Sequence, residues 1–427
     1  MSEELQKRPM SRRDMLKLAG KGALLVAAGG LVPEALSRIR TQPASAHVQP
    51  VAPTTRPAAP IAATLQKRLA ATDGYINLPG KSLYVFGFQD VPFDASMSSL
   101  DVYQGRAETP APLVFMDQDA EAFIRLTNLG FVVRPDLDDA HTIHWHGFRN
   151  QYAIFDGVPE VSIGVPAARD FDYYFQPRDE GTYMYHCHFE DVEHVQMGMT
   201  GVVFVRPRQN QGIGLIPPGN YAYNDRDGST AYDREVAMLV QDYWSRAHDN
   251  GASIQESPWS DYDPDYWVIN GRCYPDTVKP NRGEPGEDPS LSAQPVSSLV
   301  QANAGEKVLL RIANLGYQQH AMQLAGIPMK VVGEDATYLG RLPSGRADIT
   351  YVTNTLYIGP GESRDVLFTA PPHSTGVGST PDIYLFKNRN LDRTTNPGSS
   401  GLGGMVTEVR IYPAGTLPPQ TYPNQTF

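Results

Sequence analysis

The chain is poor in cysteine, in charge and in long apolar runs. Two cysteines in 427 residues cannot build a disulfide-rich scaffold or a zinc site of four thiolates. Charged residues make up only 19%, and the balance is acidic, 36 Lys and Arg against 47 Asp and Glu, for a net charge of −11. A general nucleic-acid binder, or a protein held on an anionic membrane, needs a positive surface, so both classes are disfavoured. No run reaches the roughly 18 apolar residues of a membrane span. No long helical period with caps is visible either. What is plentiful is glycine and proline, 38 and 36 residues, beside a hydrophobic fraction of 41%. That is too much Gly and Pro for a largely helical protein and too little for a disordered one. The length suggests two or three domains.

The N-terminus reads as an export signal. A polar stretch carries Ser11-Arg12-Arg13-Asp14-Met15-Leu16-Lys17, and a weakly apolar stretch follows from Leu18 to Ala28. Ala44-Ser45-Ala46 offers a small-residue cleavage site. The pattern resembles a twin-arginine signal, which would direct a folded protein to the periplasm or beyond. Without residues 1–46 the balance is 28 basic against 43 acidic residues, or −15. Residues 47–74 begin Pro/Ala-rich and read as an extended linker.

From Leu78 onward, short alternating segments are broken by Gly, Pro, Asn and Asp, as in Ser82–Phe88 and Gly201–Val205. This spacing predicts an all-β sandwich or barrel. The chain also repeats itself. Glu121–Gly130 (EAFIRLTNLG) is echoed by Glu306–Gly316 (EKVLLRIANLG). His141–Gly147 (HTIHWHG) is echoed by His320–Gly326 (HAMQLAG), and Gly198-Met199 by Gly404-Met405. Two homologous domains follow, at 75–208 and 265–415, with a connector at 209–264 and a tail at 416–427.

Histidine is unevenly placed. Six of the ten lie in two blocks of the first domain, His141-Thr142-Ile143-His144-Trp145-His146 and His186-Cys187-His188 with His194 beyond. On a strand, side chains alternate between faces. His144 and His146 then share one face, as do His186 and His188, so the two pairs can converge on one metal cluster. Cys187 points the other way. One thiolate, two imidazoles and a weak thioether, from Cys187, His141, His194 and Met199, make a type 1 (blue) copper set. Trp145, between two candidate ligands, faces the core.

These blocks resemble the multicopper oxidase family, built from cupredoxin domains. The resemblance implies two Greek-key β-sandwiches. It assigns His141, Cys187, His194 and Met199 to the blue copper, and His144, His146, His186 and His188 to half of a trinuclear copper cluster. Asp156, in Phe155-Asp156-Gly157, resembles the family's acidic residue implicated in proton delivery to that cluster; an ordinary Asp-Gly turn is the plainer alternative. With the blue site in the first of two domains, two-domain trimeric laccase-like enzymes are the nearest expectation. The second domain departs from the family pattern. Gln323 and Ala325 stand where the first domain has His144 and His146, and the stretch Tyr384–Asn390 holds no histidine.

Three arrangements follow. The four histidines hold fewer copper ions, with a mononuclear site completed by a histidine such as His320 of the partner subunit, as in copper nitrite reductases. Alternatively, two first-domain faces meet across a twofold axis and bring four histidines to eight. In the third, only the blue site is metallated and the protein carries electrons. His320 reads more readily as a packed core histidine than as a ligand, and Cys273 as a buried, inert thiol. Glu190, Asp191 and Glu193 around His194 are either a solvated charge run or an attraction for a cationic donor. Methionine forms no insert of the kind that points to cuprous ion as substrate. The expectation is a secreted, oligomeric, laccase-like copper oxidase. It would take electrons from phenols or aromatic amines and pass them to dioxygen, with no nucleic-acid partner and no membrane span.

Overall fold

The computed structural model describes residues 64–427 apart from 151, 343, 344 and 399; the export signal and most of the linker lie outside the described residues. Eight strands form the first sandwich: β1 (Leu65–Leu78), β2 (Lys81–Val91), β3 (Val114–Asp117), β4 (Ala122–Asn128), β5 (His144–His146), β6 (Arg169–Phe175), β7 (Gly181–His186) and β8 (Thr200–Arg206). One sheet runs β2-β1-β4-β6, the other β3-β8-β7-β5. Alternation explains their faces. In β4, Ala122, Ile124 and Leu126 point inward to a core that includes Phe88, Trp145, Tyr185 and Val203, while Phe123 and Arg125 point outward.

Twelve strands follow: β9 (Arg234–Tyr243), β10 (Tyr266–Ile269), β11 (Val300–Asn303), β12 (Lys307–Asn314), β13 (His320–Leu324), β14 (Met329–Glu334), β15 (Thr337–Tyr338), β16 (Tyr351–Thr353), β17 (Thr355–Ile358), β18 (Ser363–Thr369), β19 (Asp382–Asn388) and β20 (Val406–Tyr412). They make a seven-stranded sheet, β10-β9-β12-β18-β14-β15 with β16 beside β14, and a five-stranded one, β11-β20-β19-β13-β17. Val308, Leu310 and Ile312 of β12 enter the second core with Met322, Phe386 and Val409. The all-β fold with two cupredoxin-like sandwiches is as the sequence predicts. Among the described residues, no helix is long and apolar enough to cross a membrane.

The sandwiches begin earlier than the sequence spacing suggests. β1 starts at Leu65, inside the segment read as linker, and pairs parallel with β4 from Leu65↔Ala122 to Ala71↔Asn128. β9 lies within the segment read as connector, yet all ten of its residues are buried and it pairs with β12. Residues 416–427 are tied down too. Asn424 exchanges two hydrogen bonds with the Ala237 backbone, at 2.9 and 2.8 Å.

The repeated motif hides one difference that matters for stability. Arg125 of β4 pairs across the sheet with Asp172 at 2.6 Å in the open. Arg311, its counterpart on β12, is fully buried where the two sandwiches meet. Its guanidinium reaches Glu235 at 2.8 Å, Asp365 at 3.2 Å and the Thr182 hydroxyl of β7 at 3.1 Å. Removing one partner of a buried pair strands the others without water. Arg311→Ala is expected to lower unfolding stability by about 3–5 kcal/mol, and Arg125→Ala by less than about 1 kcal/mol. Parallel denaturant titrations of the two variants check this; equal losses would mean that the Arg311 network adds nothing beyond a surface pair.

Candidate metal centre

The first site sits at one end of the first sandwich. His141 lies just before β5 and exchanges backbone hydrogen bonds with Val165 at 3.1 and 2.8 Å. Cys187 directly follows β7, and its N–H donates to the Met199 carbonyl at 3.1 Å. His194 belongs to a short helix, α1 (Asp191–Gln196), and its carbonyl accepts from Met199 N–H at 3.0 Å. The turn between them requires glycine. Gly198 has φ +115°, and a Cβ there would stand 2.9 Å from the Phe86 carbonyl oxygen. Thus the Gly-Met pair visible in the sequence is a tight turn that returns Met199 to Cys187.

Sγ of Cys187 stands 3.8 Å from Nδ1 of His141 and 3.3 Å from Nδ1 of His194. All four residues are buried. Phe86 and Phe131 stack on each other and each contacts one of the imidazoles, so the walls are apolar. The Thr142 N–H approaches the sulfur at 3.5 Å. Burial pushes the His141 pKa down. For His194 burial acts the same way, but the Cys187 thiolate and Asp139, 3.5 Å from Nε2, outweigh it and carry the pKa up to about 10. A soft sulfur facing two ring nitrogens in a dry pocket fits a copper ion, with Met199 beside them as the weak fourth donor. Asp139 escaped the sequence reading, although it sits two residues before His141.

The second site lies on the opposite face of β7. β5 and β7 are antiparallel with His144 opposite His186 and His146 opposite Met184. One ring nitrogen each of His144, His146 and His186 falls within 4.8 Å of the others. The His188 ring centroid is 5.0 Å from that of His144 and 5.6 Å from that of His186. Two outer bonds set the ring orientations. His144 Nδ1 donates to the Asp156 carbonyl at 2.7 Å, and His186 Nδ1 to the Cys187 carbonyl at 2.8 Å. Nε2 of each ring then remains the acceptor, the state that a metal requires. Burial lowers the pKa of His144 and His146 and takes that of His186 down to about 3, so these rings are neutral at pH 7. The donor set fits copper ions held by imidazole alone.

Asp156 reaches this site mainly through its backbone. Its carboxylate is 3.9 Å from His144 Nδ1 and accepts from Asn150 at 2.5 Å. The Asp-Gly turn is also structural, because Gly157 (φ +79°) presses against the Ile143 carbonyl, where a Cβ would stand at 2.1 Å. Asp335, unnoticed in the sequence, comes from the second sandwich and lines a small cleft with His146 and Gly361.

The second sandwich repeats the architecture of the first site and keeps His320 and Met405 at the places of His141 and Met199, but not the thiol or the second imidazole. Asn388 N–H donates to the Met405 carbonyl at 3.0 Å, and Met405 N–H to the Arg393 carbonyl at 2.9 Å. These are the bonds that Cys187, Met199 and His194 make, so Asn388 replaces the thiol and Arg393 replaces the second imidazole. On the other face Gln323 pairs with Lys387, as His144 pairs with His186. Lys387 and Arg389 therefore stand for His186 and His188, and Gln323 and Ala325 for His144 and His146. A permanent guanidinium cation excludes a metal there. His320 is fully buried and has both ring nitrogens engaged, with Asp242 at 3.1 Å on one side and with Asn388 at 3.1 Å and Arg393 at 3.2 Å on the other. It is not placed to complete a copper site on a neighbouring subunit, which corrects that version of the nitrite-reductase-like arrangement. Both cysteines are free, and burial pushes the Cys273 thiol well up.

A thiolate–imidazole pocket and an imidazole cluster, back to back on one strand of a cupredoxin sandwich, define a class of copper proteins. Family comparison agrees. The multicopper oxidase family matches the chain twice, over residues 95–210 and 234–396, and the chain belongs to that family, whose cofactor is copper. It is similar to Laccase-5 of Arabidopsis thaliana, 27% identical over 54% of this chain and 34% of that one. It is also similar to the multicopper oxidase aurL2 of Gibberella zeae, 33% identical over 71% of this chain and 44% of that one. The chain thus spans less than half the length of these relatives. Similar folds occur in the blue copper oxidase from Nitrosomonas europaea (TM-score 0.58, 22% identity, 82% of this chain and 86% of that one). The copper nitrite reductase from the same organism also shares the fold (TM-score 0.52, 17% identity, 81% and 94%).

Proposed function

We propose that the protein is an exported, laccase-like oxidase that takes single electrons from phenols or aromatic amines at the Cys187 pocket and delivers them to dioxygen at the histidine cluster. The observation that carries this reading is the position of Cys187. Its thiol enters one pocket while its own carbonyl orients His186 in the other, at 2.8 Å, and its neighbours in sequence are both cluster imidazoles. One residue of main chain therefore joins the two sites. Copper, when bound, supplies one-electron redox chemistry at each. The chain's own share is to hold thiolate and imidazoles in fixed positions, to keep water from the sulfur with Phe86 and Phe131, and to fix the ring tautomers. Four donor oxidations supply the four electrons, and solvent the four protons, that turn one dioxygen into two waters. The Asp156 carboxylate, 3.9 Å from His144 Nδ1, is proposed to supply protons to the cluster.

Four histidines are half of a trinuclear cluster, and the second sandwich offers Gln323, Ala325, Lys387 and Arg389 at the matching positions. The missing half is therefore proposed to come from the same face of a second copy across a twofold axis, which presents one patch twice. Copper per chain in the metal-loaded protein tests this. A blue centre per chain plus three ions shared by two chains gives about 2.5, and a blue centre alone about 1. A value near 1, without oxygen uptake in the presence of a phenolic donor, would make the protein an electron carrier instead. Nitric oxide released from nitrite, with about 2 copper ions per chain, would make it a reductase.

A further inference from the structure

The end of the second sandwich that corresponds to the blue site holds an open cleft of about 550 Å³. We propose that this cleft binds a small oxyanion, a phosphate or a carboxylate, beside the position that matches the metal pocket of the first sandwich. Arg389 and Arg393 both line it, with Gln318, Gln319, His320 and Tyr357, and no acidic residue is among its lining. In a chain of net charge −11, two arginines on one cleft whose lining holds no carboxylate stand out; Asp392, between them in sequence, is not part of that lining. A contrasting cleft of about 530 Å³, lined by the first sandwich and by Arg282, Ser292 and Ala293, offsets Arg106 and Arg282 with Asp90 and Glu108, and Arg282 is already paired with Glu108 at 2.5 Å.

Arg393 is set in advance. Its Nη1 donates to the Gln319 carbonyl at 2.5 Å and to Nδ1 of His320 at 3.2 Å. His320 can accept because its other nitrogen donates to buried Asp242 at 3.1 Å. Asp242 is thereby turned away from the cleft, behind the imidazole. Among the described residues nothing accepts a hydrogen bond from Nη2 of Arg393 or from the Arg389 side chain, and the side-chain amides of Gln318 and Gln319 are equally free. Exposed Tyr357 adds an aromatic wall on one side. Guanidinium groups present paired donors that match two oxygens of one phosphate or carboxylate. An ammonium, a metal or an apolar ligand has no such match here. Arg393 in the place of His194 and Arg389 in the place of His188 therefore offer donors to an anion where the first sandwich offers ligands to a cation, while the turn that built the site is kept.

The test is isothermal titration of the full-length, copper-loaded protein with inorganic phosphate and, separately, with benzoate, at low ionic strength. One saturable site per chain is expected for at least one of them, weakening as sodium chloride is added. Arg389→Gln should weaken it at least about tenfold, since a hydrogen bond to a charged group is worth about that much. The visible spectrum of the first site should not change. Arg393→Gln should do the same, but because it also contacts His320 the exposed Arg389 is the decisive variant. Phosphate alone binding would identify a phosphoryl ligand, and benzoate alone an organic carboxylate. No heat from either anion, or the same affinity in Arg389→Gln, would overturn the proposal.

Discussion

Cys187→Ser is expected to yield a folded protein with no intense visible band and with phenol oxidation at background. The reason is electrostatic as well as electronic. The Cys187 sulfur is fully buried and takes up the space between two imidazole nitrogens at 3.8 and 3.3 Å. A thiol there ionises on binding a soft metal, while a serine hydroxyl remains neutral and leaves His141 and His194 with a poor third donor. The same change breaks the link to His186 and His188, since the route between the sites starts at that sulfur. The structural cost is small by comparison. Serine is slightly smaller, and the Phe189 carbonyl, 3.6 Å from Sγ, is on hand to accept from its hydroxyl. The measurements are the visible spectrum, copper content and thermal midpoint of the variant. A surviving blue band would sink the ligand assignment. Cys273→Ser serves as the control. Cys273 lies in a separate apolar cluster with Tyr243, Tyr266 and Val268 and should leave the colour untouched.

The first site could be read from the sequence because all its parts are local. His141 through Met199 span fewer than sixty residues, the HxH pairs announce strand alternation, and Gly198 marks the turn that brings Met199 back. The second sandwich was harder to read. Its vestigial turn runs through Asn388, Arg393 and Met405, with a loop of different length from that in the first, so only the backbone pairing shows which residue replaces which ligand. Arg125 and Arg311 carry the same motif and the same cross-strand Asp, yet one is solvated and the other sealed between sandwiches. No local pattern separates them, because burial of the outer face of β12 depends on β7 from the other domain. β1 and β9 read as linker and connector for a related reason. β1 mixes charges into its alternation, and β9 is buried on both faces, so neither shows the simple period that marks a half-buried strand.

His144→Ala is expected to keep the blue colour and to lose turnover with dioxygen. His144 projects from β5 away from the Cys187 pocket, and its ring meets His146, His186 and His188 instead. The pocket walls, Phe86 and Phe131, do not touch it. Deleting the imidazole therefore leaves the thiolate site whole but opens a gap in the cluster at a ring that, like His186, meets all three others. It also frees the Asp156 carbonyl, which loses the N–H it accepts at 2.7 Å. Loss of an outer-shell partner typically costs about 10–100-fold, and loss of a ligand itself should exceed that, so reoxidation by dioxygen should slow by more than about a hundredfold. Stopped-flow separates the two half-reactions. A phenolic donor should still bleach the blue band at near the parent rate, while the return of colour under air should fail. If colour returned at the parent rate, the HxH pairs would not be the oxygen site. Asp156→Asn refines the result. It keeps the backbone carbonyl that orients His144 but removes the ionisable carboxylate, so slowed return of colour with unchanged copper content would assign the proton path to the side chain. Unchanged kinetics would leave Asp156 only its role in the turn against Ile143.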